Sequence, residues 1–130
     1  MKTLQIAPDS ANTSKVLEFV ENALADAGIS MKISQKFLIC TDEIFANIAQ
    51  YSRATTAEIR CDVGDGSAML EFCDDGTPYN PLETAAPDTT LSAAERTIGG
   101  YGIHIVKKLM DDVKYEYRDG RNVFRISKQL

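Results

Sequence analysis

The chain has 130 residues, 44% hydrophobic and 25% charged, with a formal net charge of −5. That length holds one domain with a real core and is too short for two of ordinary size. The acidic balance argues against a nucleic-acid surface, which needs a basic face. No run approaches the roughly 18 apolar residues that span a bilayer, and Met1 to Ile6 lacks the apolar core of a signal peptide. A cytoplasmic protein without a membrane partner is therefore expected. Cys40, Cys61 and Cys73 are odd in number and show no CxxC spacing, which suggests neither a zinc site nor a disulfide framework. Each sits in an apolar run and reads as a small buried hydrophobe.

Lys2 to Ile6 reads as a short strand ended by Pro8. Asp9 or Ser10 then caps a helix with Val16, Leu17, Val20 and Leu24 at helical spacing, stopped by Gly28. Ser30 or Ser34 opens a second helix running to about Tyr51, with Phe37, Thr41, Ile44, Phe45 and Ile48 on one apolar arc. Ala57, Ile59, Cys61 and Val63 alternate with polar residues, and after Gly64-Asp65-Gly66 a return strand runs roughly from Ser67 to Cys73. From Gly76 to Gly100 periodicity is lost, and a loop of that length in a compact domain is usually functional or disordered. A helix from Tyr101 to about Met110 follows. Val113, Tyr115 and Tyr117 then alternate with charged residues, and Asp119-Gly120 turns the chain into a strand over Asn122 to Lys128. With no repeat and no internal boundary, residues 1–130 read as a single domain. The order predicts an α+β two-layer sandwich, helices on one face of a mixed, mainly antiparallel sheet.

Three polar clusters interrupt this pattern. Glu43 and Asn47 stand four residues apart on the second helix and stack together beside the apolar arc. Such a pair is commonly a solvated stripe, but it also suits a metal–nucleotide site. An Asn carbonyl is a hard oxygen ligand for Mg²⁺, and a carboxylate can take a proton from a hydroxyl or water. The second cluster is Asp74-Asp75-Gly76-Thr77-Pro78. Asp-Gly before Pro is good turn chemistry. A carboxylate at a strand end can also accept from an adenine amino group, with Gly76 letting backbone approach the ring. The third, Gly99-Gly100-Tyr101-Gly102-Ile103, runs straight into a helix and is not a P-loop or dinucleotide fingerprint. It is a hinge or a phosphate cradle, since helix N-termini bind phosphate through free N–H groups and the macrodipole.

In order and spacing these clusters resemble the GHKL ATPase superfamily, the Bergerat or histidine-kinase-like ATPase fold. Glu43-x-x-x-Asn47 matches its N box, Asp74-x-Gly76-x-Pro78 its G1 box and Gly100-x-Gly102 its G2 box. The stretches Asp74 to Leu82 and Gly99 to Asp112 are most similar to the anti-sigma-factor serine/threonine kinase branch. In that branch the second G1 glycine is often proline, as at Pro78. The resemblance implies that Asp74 bonds the adenine amino group of ATP, with Gly76 beneath the ring. It implies that Asn47 holds Mg²⁺ against the phosphates. The amides of Gly100, Tyr101 and Gly102 wrap the triphosphate, with Ile103 closing the box, and Glu43 is the general base. Residues 81–98 become the ATP lid, and Arg96 either touches the γ-phosphate or is a free surface arginine.

Two departures limit the transfer. Tyr51 stands where many relatives carry a histidine four residues after the N-box asparagine, so that histidine's role is not carried over. The single histidine, His104, reads as a packed or capping residue, and a phosphoacceptor helix is absent. The branch implies a kinase acting on a STAS-domain anti-sigma factor antagonist, with a sigma factor as competing partner and a homodimer as the assembly. A non-catalytic, nucleotide-gated protein-binding module, or a detached ATP-binding domain serving a separate signalling protein, would use the same pocket.

Overall fold

The computed structural model describes residues 1–83 and 98–130, with backbone only for 98–101. Strand β1 (Lys2–Ile6) leads through a short turn at Ser10–Asn12 into helix α1 (Thr13–Asp26). Asp9 caps that turn, its side chain accepting from Ala11 N at 2.9 Å. Helix α1 buries Val16, Val20, Ala23 and Leu24, one apolar stripe at helical spacing. Helix α2 (Met31–Asn47) starts at Ser30, whose hydroxyl accepts from Ile33 N at 3.3 Å. Its expected arc of Phe37, Thr41, Ile44, Phe45 and Ile48 is buried. The Thr41 hydroxyl, which could not stay unpaired there, donates to Phe37 O at 2.7 Å.

Regular α geometry ends at Asn47. The chain widens into a π-type turn over Ile48–Ser52 and leaves it through Arg53 in the left-handed region (φ 57°). Strands β2 (Ala57–Gly64) and β3 (Ser67–Asp74) follow, then α3 (Ile98–Leu109), β4 (Asp112–Arg118) and β5 (Arg121–Gln129). Asp119 and Gly120 both carry positive φ, 54° and 76°, the geometry of the primed hairpin turn that Asp-Gly favours.

The sheet order is β1-β2-β3-β5-β4, and all four pairings are antiparallel. The expected mixed sheet is therefore antiparallel throughout among the described residues. One row across the helix-facing side reads Leu4, Ile59, Phe72, Phe124, Tyr115. Its central members are almost fully buried, each worth about 1.5–3 kcal/mol of transfer free energy. The next row along the same face, at the end of the sheet, reads Ile6, Ala57, Asp74, Asn122, Tyr117. Apolar packing gives way there to polar side chains, and that is where the site lies. On the opposite face Glu71 is buried between the guanidinium groups of Arg60 (3.1 Å) and Arg125 (2.6 Å). All three cysteines are buried and free. Among the described residues no helix is long and apolar enough to cross a membrane.

Candidate functional site

Asp74 is the last residue of β3 and only 4% exposed. Its Oδ1 accepts from Gly76 N and from Asn122 Nδ2, each at 2.9 Å. Burial pushes the Asp74 carboxyl above its ordinary range, and those two donors, with the Ser52 hydroxyl, oppose the rise. Its neighbour Asp75 points elsewhere. Asp75 accepts from Thr55 N (2.8 Å), Thr56 N (3.1 Å) and the Thr55 hydroxyl (2.6 Å), and these bonds hold its carboxyl low. Of two consecutive aspartates, one is committed to a loop and one to the interior.

Gly76 is required by a close approach of backbone. A Cβ there would stand 2.0 Å from Ser52 O and 2.7 Å from its carbonyl carbon. The Ser52 carbonyl reaches this position because the wide turn after α2 carries it there, and it accepts from Thr77 N at 2.8 Å. The protein's own chain thus gives a reason for glycine at 76 independent of any ring. Pro78 is exposed at the end of this segment.

The end expected to receive phosphate lies where α2 packs on α3. The helix begins at Ile98, three residues before its expected start. The first four amides of a helix lack an intrahelical acceptor, so Gly100 and Tyr101 lie among the free N–H groups and Gly102 just beyond them. What Gly102 provides is space. A Cβ at 102 would stand 2.2 Å from Glu43 Oε2 and 3.2 Å from Glu43 Cβ. The Glu43 carboxyl, half-buried against this glycine, is pushed up by burial and then by Asp42. Asn47, expected at the edge of the core, is buried at 4% exposure. Its Nδ2 has no hydrogen-bond partner among the described residues.

A cleft lies between Asp74 and Asn47, and neither Glu43 nor Gly102 lines it. Its walls are Ile44, Ile48, Phe72, Ile103 and Phe124, with Asp74, Asn47, Asn122 and Ser52 as polar members and Tyr79, Pro81 and Tyr115 around them. Free space inside is about 20 Å³, room for about one water; a purine requires these walls to part. Tyr79 stacks on Tyr51, ring centroids 5.3 Å apart and planes 22° from parallel.

The model of the histidine kinase-like ATPase domain matches residues 6–128. The chain belongs to this family. Serine/threonine-protein kinase BtrW of Bordetella bronchiseptica is 22% identical over 129 residues, covering 92% of this chain and 87% of its own. The crystal structure of the RsbU and RsbW domains of Rv1364c from Mycobacterium tuberculosis superposes on the whole of this chain with a TM-score of 0.65 at 13% identity. The chain spans 33% of that protein's length. The histidine kinase AdeS of Acinetobacter baumannii gives a TM-score of 0.58 at 16% identity, over 99% of this chain and 68% of its own. Both structural likenesses bear on the fold.

For a histidine kinase-like ATPase domain, the cleft brings together Asn47, Asp74 and Ile103, with Gly76 beside Asp74 and Glu43 against Gly102. Arg96 and most of the 81–98 segment lie outside the described residues; Pro81–Glu83 form one short helical turn. His104 is not among the cleft residues, and its Nε2 is buried without a partner among the described residues. Asn122, Ser52 and Tyr115 were not legible as site residues from motifs. One signal was available for Asn122: Asn is depleted in strands, yet it stands second in this one.

No group of three or more His, Cys, Asp or Glu among the described residues could hold a metal ion. Mg²⁺ nevertheless suits the site, because it keeps several waters and is bound through few protein ligands plus phosphates. The buried Asn47 side chain, whose Nδ2 has no partner among the described residues, fits that demand: turned through 180°, it presents its carbonyl oxygen where its N–H₂ now stands.

Proposed function

We propose that this chain binds Mg-ATP and transfers the γ-phosphoryl group to a serine or threonine hydroxyl of a STAS-domain anti-sigma factor antagonist. A sigma factor is the competing partner, and the protein works as a cytoplasmic homodimer in a partner-switching system. The observation that carries this reading is the cleft that sets Asp74 of β3 beside Asn47 of α2, one helical turn from Glu43. Asp74 is held by two donors in an apolar cleft, and Glu43 is packed against the start of α3 with its basicity raised.

Each residue has a role in this reading. Asp74 accepts from the adenine amino group, and Gly76 and Pro78 shape the turn below the ring. Ile103 supplies apolar wall. Free amides at the start of α3, among them Gly100 and Tyr101, receive phosphate oxygens with the favourable end of the helix dipole. Gly102 admits Glu43, and Arg96, outside the described residues, is the candidate contact to the γ-phosphate. Asn47 would hold Mg²⁺, which would supply charge neutralisation on the phosphates. Glu43 takes the proton of the attacking hydroxyl as the new O–P bond forms and the bond to the ADP oxygen breaks. A carboxyl raised toward neutrality is a better base for that step.

The test incubates purified protein with Mg-ATP labelled at the γ-phosphate and a STAS-domain protein of the same organism. Label should move to the partner with wild type, and E43Q should bind ATP without transferring it. Absence of transfer by wild type, where ATP binding is measured in the same buffer, would sink the kinase reading. The relative named a serine/threonine-protein kinase favours transfer over gating. Partner affinity that responds to ATP and survives E43A would mark a nucleotide-gated module instead.

A further inference from the structure

The side chain with the most complete set of bonds in the cleft is Asn122, which none of the three motifs includes. It is 4% exposed, and a primary amide offers two donor hydrogens and two acceptor lone pairs. All four are used. Nδ2 donates to Asp74 Oδ1 at 2.9 Å and to Thr77 O at 2.8 Å. Oδ1 accepts from Tyr79 N at 2.9 Å and from the Tyr115 hydroxyl. Asp74 and Asn122 are direct register partners on β3 and β5, so the sheet itself fixes their separation.

We propose that Asn122 is the positioning residue of the adenine end, and that it sets the selectivity for a 6-amino over a 6-oxo purine by acting through Asp74. The inference rests on the reading that Asp74 meets the purine. Two donors occupy Asp74 Oδ1, which leaves Oδ2 as the oxygen with capacity for an incoming N–H. An ionised carboxylate accepts only, so it pairs with an exocyclic amino group and opposes a carbonyl at the same place. A protonated one would donate, and the preference would weaken or invert. Discrimination therefore depends on Asp74 staying ionised in an apolar cleft, which disfavours charge. Asn122 is the side-chain donor that offsets this.

Among the described residues the groups facing Asp74 on each side are few. Asp75, on the segment that follows β3, acts on it as a like charge. From β4 comes the Tyr115 phenol, itself raised by burial and by Asp74. The turn after α2 supplies the Ser52 hydroxyl, α2 the Asn47 amide in the same cleft, and α3 only the apolar Ile103. Among these the Asn122 and Gly76 N–H groups carry the opposition to burial.

The experiment measures Mg-ATP and Mg-ITP binding by calorimetry from pH 6 to 8 for wild type, N122L, the isosteric N122D and Y115F. It also follows the Asp74 carboxyl carbon by NMR titration in nucleotide-free protein. N122L should raise the Asp74 titration midpoint, weaken ATP by about 10–100-fold, and lose further ATP affinity as pH falls while ITP gains. N122D should reverse the slope. At high pH two facing carboxylates repel, whereas at low pH a shared proton restores the donor, so ATP affinity rises as pH falls. Y115F, which leaves the Asp74 bond in place, should keep the wild-type slope. Equal pH profiles in wild type, N122L and N122D, or an Asp74 midpoint indifferent to N122L, would overturn the proposal. A wild type that binds no ATP while the Asp74 resonance still answers to N122L would instead sink the nucleotide reading, and the selectivity role with it.

Discussion

Replacing Gly76 with alanine separates two reasons for a glycine in this turn. The added Cβ would lie 2.0 Å from Ser52 O, against an ordinary contact of 3.4 Å or more, so something must move by about 1.4 Å. The obstacle is backbone at the end of a packed turn, with no flexible side chain to swing aside. Two hydrogen bonds are lost together: Thr77 N to Ser52 O at 2.8 Å and Gly76 N to Asp74 Oδ1 at 2.9 Å. A neutral bond contributes about 0.5–1.5 kcal/mol and one to a charged acceptor about 1.5–3. The expected cost is about 2–4 kcal/mol, a fall of roughly 6–20 °C in the unfolding midpoint of a chain this size. Urea and thermal unfolding followed by circular dichroism, without nucleotide, measure it. Gly64, where a Cβ meets nothing within 4 Å, supplies the control substitution. Nucleotide-free G76A within about 0.5 kcal/mol of wild type would refute the steric reasoning and leave approach to a ring as the sole cause.

Three other outcomes are expected. G102A meets the movable end of Glu43 and only secondarily its Cβ, so stability should fall by about 1–3 kcal/mol while phosphotransfer falls further than ATP binding, read in one transfer assay. D74N should reduce ATP affinity at least about tenfold by offering an N–H where an acceptor is needed; unchanged affinity would remove the assignment. The sign for stability is opposite. Burial raises the folded pKa of Asp74, so its ionised form subtracts stability above that pKa, and the loss is recovered as pH falls through it. Nucleotide-free D74N should therefore unfold no earlier than wild type at pH 8, and its stability should vary less between pH 8 and 5. N47A should weaken ATP binding mainly when Mg²⁺ is present, and equal loss with and without the metal would contradict its role.

The sheet and helices were legible because their signals are local. The alternation from Ala57 to Val63 and the arc from Phe37 to Ile48 each follow from one burial direction, and both hold. Asp119-Gly120 specified its hairpin through positive φ alone. The three motif clusters pointed to one end of the fold, and the cleft there includes Asn47, Asp74 and Ile103. What stayed hidden depends on distant pairs. Asn122 meets Asp74 across 48 residues of sequence, and the Ser52 carbonyl meets Thr77 across 25. No spacing rule connects them, because register and a turn of unusual pitch decide both. A helical wheel puts Asn47 at the core's edge because it knows its own helix and not the neighbours that cover it.

The wide turn after α2 carries one more consequence. In an α-helix the residue over Asn47 one turn on would be Tyr51, whereas i→i+5 geometry puts Ser52 in that place. Ser52 lines the cleft and Tyr51 stacks outside it on Tyr79. The frame in which the last turn is read, more than the identity of residue 51, determines which side chain faces the cleft. Deleting the exposed Gln50 would shift that frame by one and deliver the residue now numbered 52 to the position of 51. The Ser52 carbonyl would leave Thr77, and the turn that shelters Asp74 would lose its far anchor. A single surplus residue thus acts as a spacer between the helix that carries Asn47 and the strand that carries Asp74.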